Sequence, residues 1–249
     1  MADDFRGFFY AMAGFGFGAY LFYKGFAWFQ QKRMIENTPT SKVRSIAMGR
    51  VEVYGEARVD KKFLVIAPFS GKKCVYCKWT VEEYRSNGKS GHWATIRTGC
   101  IGRLFFLKDD TGEVLVDSAG AEVDIPRCYD SKKVTDSAKN FLQEQGLPYT
   151  SIFGFGKNMR FREYIIFEKT KVYVMGFAGD NPYVEDGTSD RNEKDIMIQK
   201  EKGGFYYISD KPEKEILKKY FWKTWGGLFG GSAIMLLCLA IMFAYLGIL

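Results

Sequence analysis

Two cysteines three residues apart are the first groups in this chain whose type and spacing could do chemistry. Cys74-Val-Tyr-Cys77 is a C-x-x-C pair, with Cys100, Cys128 and Cys238 further on. At a helix start such a pair suits redox exchange, and four thiols can hold a zinc ion. Here it lies in residues 74–84 (CVYCKWTVEEY), where Val75, Cys77, Trp79 and Val81 alternate as on a strand. Residues three apart on a strand point to opposite faces. Unless a bulge intervenes, the pair is therefore expected to form neither a disulfide nor half of a zinc site. The 22 and 27 residues between the later cysteines do not match a zinc ribbon or finger. Buried structural thiols are the expectation.

His92 is the one histidine, which excludes His-rich metal sites and leaves a His-based triad a single candidate base. Between Gly91 and Trp93 it reads as a loop or strand-edge residue. No G-x-x-x-x-G-K-[ST] is present, and Phe153-Gly-Phe-Gly-Lys157 has too few glycines to cradle a phosphate. No catalytic residue, metal or cofactor is expected.

The elements that would position these groups are mostly strands. Residues 50–60 (RVEVYGEARVD) put Val51, Val53, Gly55, Ala57 and Val59 on one face, and Arg50, Glu52, Tyr54, Glu56 and Arg58 on the other. Residues 103–117 (RLFFLKDDTGEVLVD) form a hairpin around Asp-Asp-Thr-Gly. Residues 131–145 switch to helical spacing through Val134, Ala138, Phe141 and Leu142, and Gly146 and Pro148 stop the helix. Strand character returns at 164–167 and 171–178, and 180–190 reads as loop. The runs 51–57 and 172–178 share the pattern V-x-V-x-G-x-A. They suggest two related β-subunits or a chance match of a short pattern. Each glycine sits on the apolar face, leaving a gap for another backbone or a large ring, with Trp79 or Phe106 as candidates. Glu52 is expected at the solvent surface.

At each end the composition changes. Residues 226–249 (GGLFGGSAIMLLCLAIMFAYLGIL) carry no charge and at about 1.5 Å per residue can cross a hydrocarbon core of about 30 Å. Residues 7–29 carry one charge, Lys24, placed to snorkel near Tyr20, Tyr23 and Trp28. The rival for this segment is a signal peptide, but Met-Ala-Asp-Asp is not a basic n-region and the apolar stretch is too long. The mean hydropathy of -0.19 averages over this split.

The expected architecture is a mainly β, barrel- or sandwich-like α+β soluble domain flanked by two transmembrane α-helices. It divides into a first span at 7–29, a β-rich domain at 30–211, an amphipathic juxtamembrane helix at 212–225 and a second span at 226–249. Lys32, Arg33, Lys42 and Arg44 follow the first span; Lys211, Lys214, Lys218, Lys219 and Lys223 precede the second. Positive-inside logic then puts the central domain in the cytoplasm. The +7 net charge is interleaved with acids, not gathered in a stripe, so nucleic acid is not an expected partner. Gly14 and Gly18, Gly226 and Gly230, and Gly227 and Gly231 are each four apart. That spacing suits close helix packing, including a homo-oligomer through the spans, although glycine is also simply common in membrane helices.

Several longer stretches carry a family likeness. These are Phe69–Glu83 with Cys74, Trp79, Glu82 and Glu83, then His92-Trp93-Ala-Thr-Ile, Phe106–Asp117 and Gly120–Pro126. Arg160-Phe-Arg162-Glu163-Tyr, the run 172–178 and Phe205–Asp210 continue it. Together they resemble the GIDE domain, also called "beside a membrane" (BAM), of mitochondrial-membrane E3 ubiquitin ligases, which lies between two membrane helices. Cys77 departs from that pattern, where a tyrosine is usual. The resemblance implies binding positions at Cys74, Trp79, Glu82, Glu83, Trp93, Arg160, Arg162 and Glu163. The ligases carry a RING after the second span, and a RING needs about eight Cys or His ligands. With five cysteines and one histidine, this chain resembles the RING-less prokaryotic members, in a cell membrane. The expected function is a non-catalytic, membrane-anchored binding or scaffold module acting through a membrane or cytosolic protein partner. The alternatives are a component of an E3 ubiquitin-ligase-like system and a cysteine-based metal or redox module.

Overall fold

The computed structural model describes residues 2–86, 88, 90–148, 156–184 and 195–246. Two units emerge, Thr40–Lys211 and the pair of terminal segments Met1–Pro39 and Pro212–Leu249.

The terminal unit is helical. Helix α1 (Ala2–Glu36) is 35 residues long, reaching past the expected end at Phe29. Helix α3 (Glu213–Trp225) runs through a π-helical turn, Gly226–Gly230, into α4 (Gly231–Tyr245). Only this second stretch, Glu213–Tyr245, is long and apolar enough among the described residues to cross a membrane. Two such helices were expected. The first has the length but not the hydropathy, because residues 7–29 hold one leucine, no isoleucine and no valine among their rings and glycines. Glycines set the contact between α1 and the second stretch. A Cβ on Gly18 would lie 2.9 Å from the Gly231 carbonyl oxygen, and one on Gly25 would lie 2.6 Å from the Leu228 nitrogen. Gly14 faces the Cys238 sulfur, and Gly227 faces the Gly25 backbone. Gly226 and Gly230 face open space. The two glycine pairs of this stretch therefore lie on different sides, one against α1 and one away from it.

In the central unit, β1 (Gly49–Arg58) pairs antiparallel with both β6 (Leu104–Lys108) and β11 (Lys171–Asp180). The β6–β7 hairpin (β7, Glu113–Asp117) and the parallel pair of β7 with β12 (Ile196–Gln199) continue the ring, and β12 returns to β11. Five strands thus close a small Greek-key barrel of the OB type. The hairpin forms where Asp-Asp-Thr-Gly predicts it. Asp109 accepts hydrogen bonds from the Thr111, Gly112 and Val43 amides. Inward residues fill the barrel: Val51, Val53 and Ala57, then Phe105, Leu107, Val172 and Val174.

The two V-x-V-x-G-x-A runs are each other's partners, with Val51 opposite Gly176, Val53 opposite Val174 and Gly55 opposite Val172. The groups at their glycines are of the expected kinds, a backbone and a large ring, but neither is the candidate Trp79 or Phe106. A Cβ on Gly55 would meet the Lys108 carbonyl oxygen at 2.6 Å, and one on Gly176 would meet the Tyr206 ring at 2.8 Å. Glu52 corrects another expectation: it is buried, not at the surface. Its carboxylate accepts from the Thr40 hydroxyl at 2.6 Å and the Tyr173 phenol at 2.7 Å. Those two partners, from distant segments, cover a strand face that alternation alone assigns to solvent.

Two excursions from the barrel build a second sheet. One carries the short hairpin β2 (Val65–Ile66) and β3 (Lys73–Cys74), then β4 (Tyr76–Ser86) and β5 (Gly91–Ile101). The other carries β8 (Glu122–Asp124), β9 (Arg127–Ser131), α2 (Asp136–Glu144) and β10 (Met159–Ile166). Their strands interleave in the order β5-β4-β10-β9, while β8 and β13 (Tyr207–Ser209) extend the barrel wall. Helix α2 covers one face of the four-stranded sheet. Thr135 caps it by accepting from the Ala138 amide, and Gly146, at φ +64°, ends it in the left-handed region. Most of the loop expected at 180–190, and Phe153–Phe155 of the glycine-containing run, lie outside the described residues.

Candidate interaction site

All eight residues singled out by the family resemblance lie on or beside β4, β5 and β10. The antiparallel register sets Glu82 opposite Arg160, Thr80 opposite Arg162, Trp79 opposite Glu163 and Glu83 opposite Met159. Because side chains alternate along a strand, this register sorts the set onto two faces.

Trp79, Cys74 and Glu163 go inward. Trp79 packs edge-on against Phe141 of α2, with ring centroids 4.9 Å apart, and its ring lies against Gly99. Val81, Phe161, Ala138 and Leu142 complete that core. Glu163 is fully buried and accepts from the Phe69 amide at 2.5 Å and the Ser70 amide at 3.2 Å. Its carboxylate therefore fixes the turn between β2 and β3.

The C-x-x-C does not behave as a continuous strand would make it. The β3–β4 segment breaks at Val75, whose amide donates to the Ile166 carbonyl. That break turns Cys74 and Cys77 into one cluster with Ile165 and the half-buried Cys128. The Cys74 thiol donates to the Val65 carbonyl at 3.6 Å. Its closeness to Cys77, with burial and the nearby Glu163 carboxylate, holds Cys77 well above the ordinary thiol range, while the same coupling moves Cys74 below it. A buried thiol held protonated is a poor nucleophile and a poor ligand. Among the described residues no group of three or more Cys, His, Asp or Glu side chains is placed to hold a metal ion.

Glu82, Arg160, Arg162 and Trp93 face the other way, on the side that α2 leaves uncovered. Glu82 accepts from Arg160 Nε at 2.5 Å and Arg162 Nη1 at 3.1 Å. Arg162 Nε lies 3.4 Å from Asp130, which also pairs with Arg127 at 2.8 Å. The Arg160 guanidinium sits 4.4 Å from the centre of the Trp93 ring. Lys132 approaches that ring at 5.4 Å and Tyr84 meets it edge-on at 5.3 Å. Glu83 lies at the sheet's end, paired with Lys157 at 3.1 Å. His92 is exposed on β5, opposite Arg85.

Lys78 and Arg127 both stand opposite Tyr164, so the register adds them to this face. Five cations (Lys78, Arg127, Lys132, Arg160 and Arg162) then share it with two acids, Glu82 and Asp130. The one carboxylate near the centre is taken up by two guanidinium groups, and among the described residues of this face no nucleophile stands beside a base. The arrangement suits recognition of an acidic surface, with Trp93 as an apolar anchor. Tyr84, Asp130 and Lys132 were not foreseen. Tyr84 could have been, two residues beyond Glu82 on the same strand face. The other two reach the site only through the β9–β10 pairing and its irregular register.

A family model for GIDE, described as E3 Ubiquitin ligase, matches residues 79–245, well over half of the chain. No curated protein and no solved structure matches. The matched span includes most of the four-stranded sheet, the barrel from β6 onward and the C-terminal helices. On that match, and on the motifs this sheet carries, the chain belongs to the GIDE family.

Proposed function

We propose that this chain is a membrane-anchored binding module that docks an acidic segment of a protein partner on the open face of the four-stranded sheet. The observation that supports it is the cationic face around Glu82, Arg160, Arg162 and Trp93, ordered by ion pairs and left uncovered by α2. Glu213–Tyr245 supplies the anchor. In this reading α1 is a second span, held to α4 by the glycine contacts, and the lysines beside both helices keep the central domain cytoplasmic.

The family description favours a second, compatible reading: the module serves an E3 ubiquitin-ligase system. These 249 residues have too few Cys and His side chains for a RING. The module would then present a substrate or hold a ligase, without transferring ubiquitin itself.

A photo-crosslinking residue at Thr98, exposed on β5 opposite Thr80, tests the face in native membranes. A discrete adduct is expected, lost on Arg162→Glu and kept when the cross-linker variant also carries Glu113→Lys on the barrel. An adduct indifferent to Arg162→Glu would remove the open face from the reading. Separately, E1, E2 and ubiquitin with this chain alone should yield no conjugates above background.

A further inference from the structure

The excursion between β1 and β6 begins with a segment of unusual charge. Residues 61–81 contain five lysines and no acid. Lys61 and Lys62 precede β2, and Lys72 and Lys73 sit at the start of β3; all four are exposed. Among the described residues none of the four forms an ion pair. Between the two doublets the chain presents apolar side chains to solvent: Phe63 is 62% exposed and Ile66 60%. Ile66 stands opposite Lys73 in the β2–β3 ladder, and the Lys72 ammonium lies 6.0 Å from the centre of the half-exposed Phe167 ring. Lys62 lies over Phe63 in the same way, at 5.1 Å.

The protrusion is held rigid. The Ala67 amide donates to the Lys72 carbonyl at 2.9 Å and the Gly71 amide to the Ala67 carbonyl at 3.0 Å. The Glu163 carboxylate ties down the Phe69 and Ser70 amides within the same turn. Ile66 adjoins this hydrogen-bonded turn, and the Phe63 amide donates to the Asp60 carbonyl at 2.8 Å.

We propose that Lys61–Lys62–Phe63, Ile66 and Lys72–Lys73 form a lipid-contact patch that seats the central domain on an anionic bilayer surface. Short apolar tips flanked by lysine pairs match a membrane interface, where rings and aliphatic groups enter the headgroup boundary and ammonium groups stay at the phosphates. Lipid headgroups supply the counter-charge that the chain does not. The inference rests on the membrane anchoring proposed above. The central unit ends at Lys211, two residues before the stretch Glu213–Tyr245 that is proposed to cross the bilayer.

The full chain, with Cys100 and Cys128 replaced by serine and a spin label at Ile66→Cys, is reconstituted in nanodiscs. One set of discs is phosphatidylcholine and the other adds phosphatidylserine. Collision with oxygen relative to a nickel chelate should rise severalfold in the anionic discs, and the rise should vanish when Lys61, Lys62, Lys72 and Lys73 become glutamine. A label at His92→Cys should stay aqueous in both. An Ile66 label that stays aqueous in anionic discs would overturn the proposal. So would a label immobilised without oxygen access, which marks a protein neighbour, or an equal response at His92. Alkaline extraction of the same preparations separates the two readings. Protein released from the bilayer overturns the anchoring and the patch together, whereas retained protein with an aqueous Ile66 label overturns the patch alone.

Discussion

The barrel and the four-stranded sheet are made from the same chain segment by the same alternation, yet they dispose of polar side chains differently. In the barrel, the polar groups near the wall are consumed by the fold. Glu52 is buried between Tyr173 and Thr40, Asp109 holds a turn, and Asp117 is gripped by Arg103 through two bonds of 2.6 and 2.5 Å. In the sheet, α2 covers one face, and the charged network lies on the other, whose Tyr164 end packs against the barrel core. Closure completes a β-structure internally, whereas a one-sided sheet leaves a face that a partner can finish. Four tests can break that contrast or sharpen it.

The largest effect is expected on the covered face. Trp79→Ala empties a site packed by Phe141 and Gly99 and should cost about 3–5 kcal/mol of stability. Trp93→Ala on the open face removes cation–ring contacts and should cost about 0.5–1 kcal/mol, while abolishing the Thr98 cross-link. Thermal unfolding of the full chain in detergent, followed by near-ultraviolet circular dichroism, compares the two. Equal losses would erase the distinction between the faces.

Next come the paired glycines of the barrel. Gly55→Val drives a side chain into the Lys108 backbone, which cannot turn aside, and Gly176→Val into side chains, the Tyr206 ring and the Ile198 methyl, which yield more readily than backbone. Overpacking of this kind typically costs about 1–3 kcal/mol. Gly55→Val should melt lower than Gly176→Val; the reverse order would mean that the β1–β6 approach is looser than the β11–Tyr206 contact.

Glu52→Leu tests whether the barrel's buried carboxylate belongs to the fold. It strands the Tyr173 and Thr40 hydroxyls and should cost about 1–3 kcal/mol. A melt unchanged by it would return Glu52 to the solvent face that alternation suggests.

The smallest effect concerns acid. The side chain of Arg103 holds the Asp117 carboxyl below its usual range, helped by the Ala119 amide against the opposing effect of burial. A depressed carboxyl contributes stability that is full above its unfolded value, about pH 4, and fades as pH falls through the lower folded value. Arg103→Gln should therefore move the acid unfolding midpoint to higher pH without changing the neutral-pH spectrum. An unchanged midpoint would show that the pair contributes nothing to acid resistance.

What was legible in the sequence was local. The 104–117 hairpin announces itself through Asp-Asp-Thr-Gly, the helix at 136–144 through its spacing and stop signals, and the inward faces of β1 and β11 through alternation. What was not legible depends on segments far apart in sequence. Strand β10 settles beside β4 with Arg160 opposite Glu82, a pairing no local pattern announces. Both C-x-x-C thiols are buried as expected, but their shared side was missed for the same reason, since the break at Val75 is made by Ile166 on another strand. Glu52 looked exposed because its cover, Tyr173, lies 121 residues away. The short strands β8, β12 and β13 hold three or four residues each, too few to show a period. The candidate site divides likewise: its residues were named by motif, but their sorting into a core and an open face needed the register.

One consequence of the barrel's wiring is mechanical. β1, where the central unit begins, and β13, near where it ends, flank β11 on opposite sides and both run antiparallel to it. They are therefore parallel to each other, and a pull between residues 40 and 211 draws the start of one against the finish of the other. Tension so applied loads the hydrogen bonds of both ladders together, in shear, instead of peeling them one at a time. Optical-tweezer handles at 40 and 211 should meet a higher rupture force than handles at 58 and 211, which unzip β1 from one end. The central domain is, by its strand order, a tie that resists stretching along the line between its own two ends.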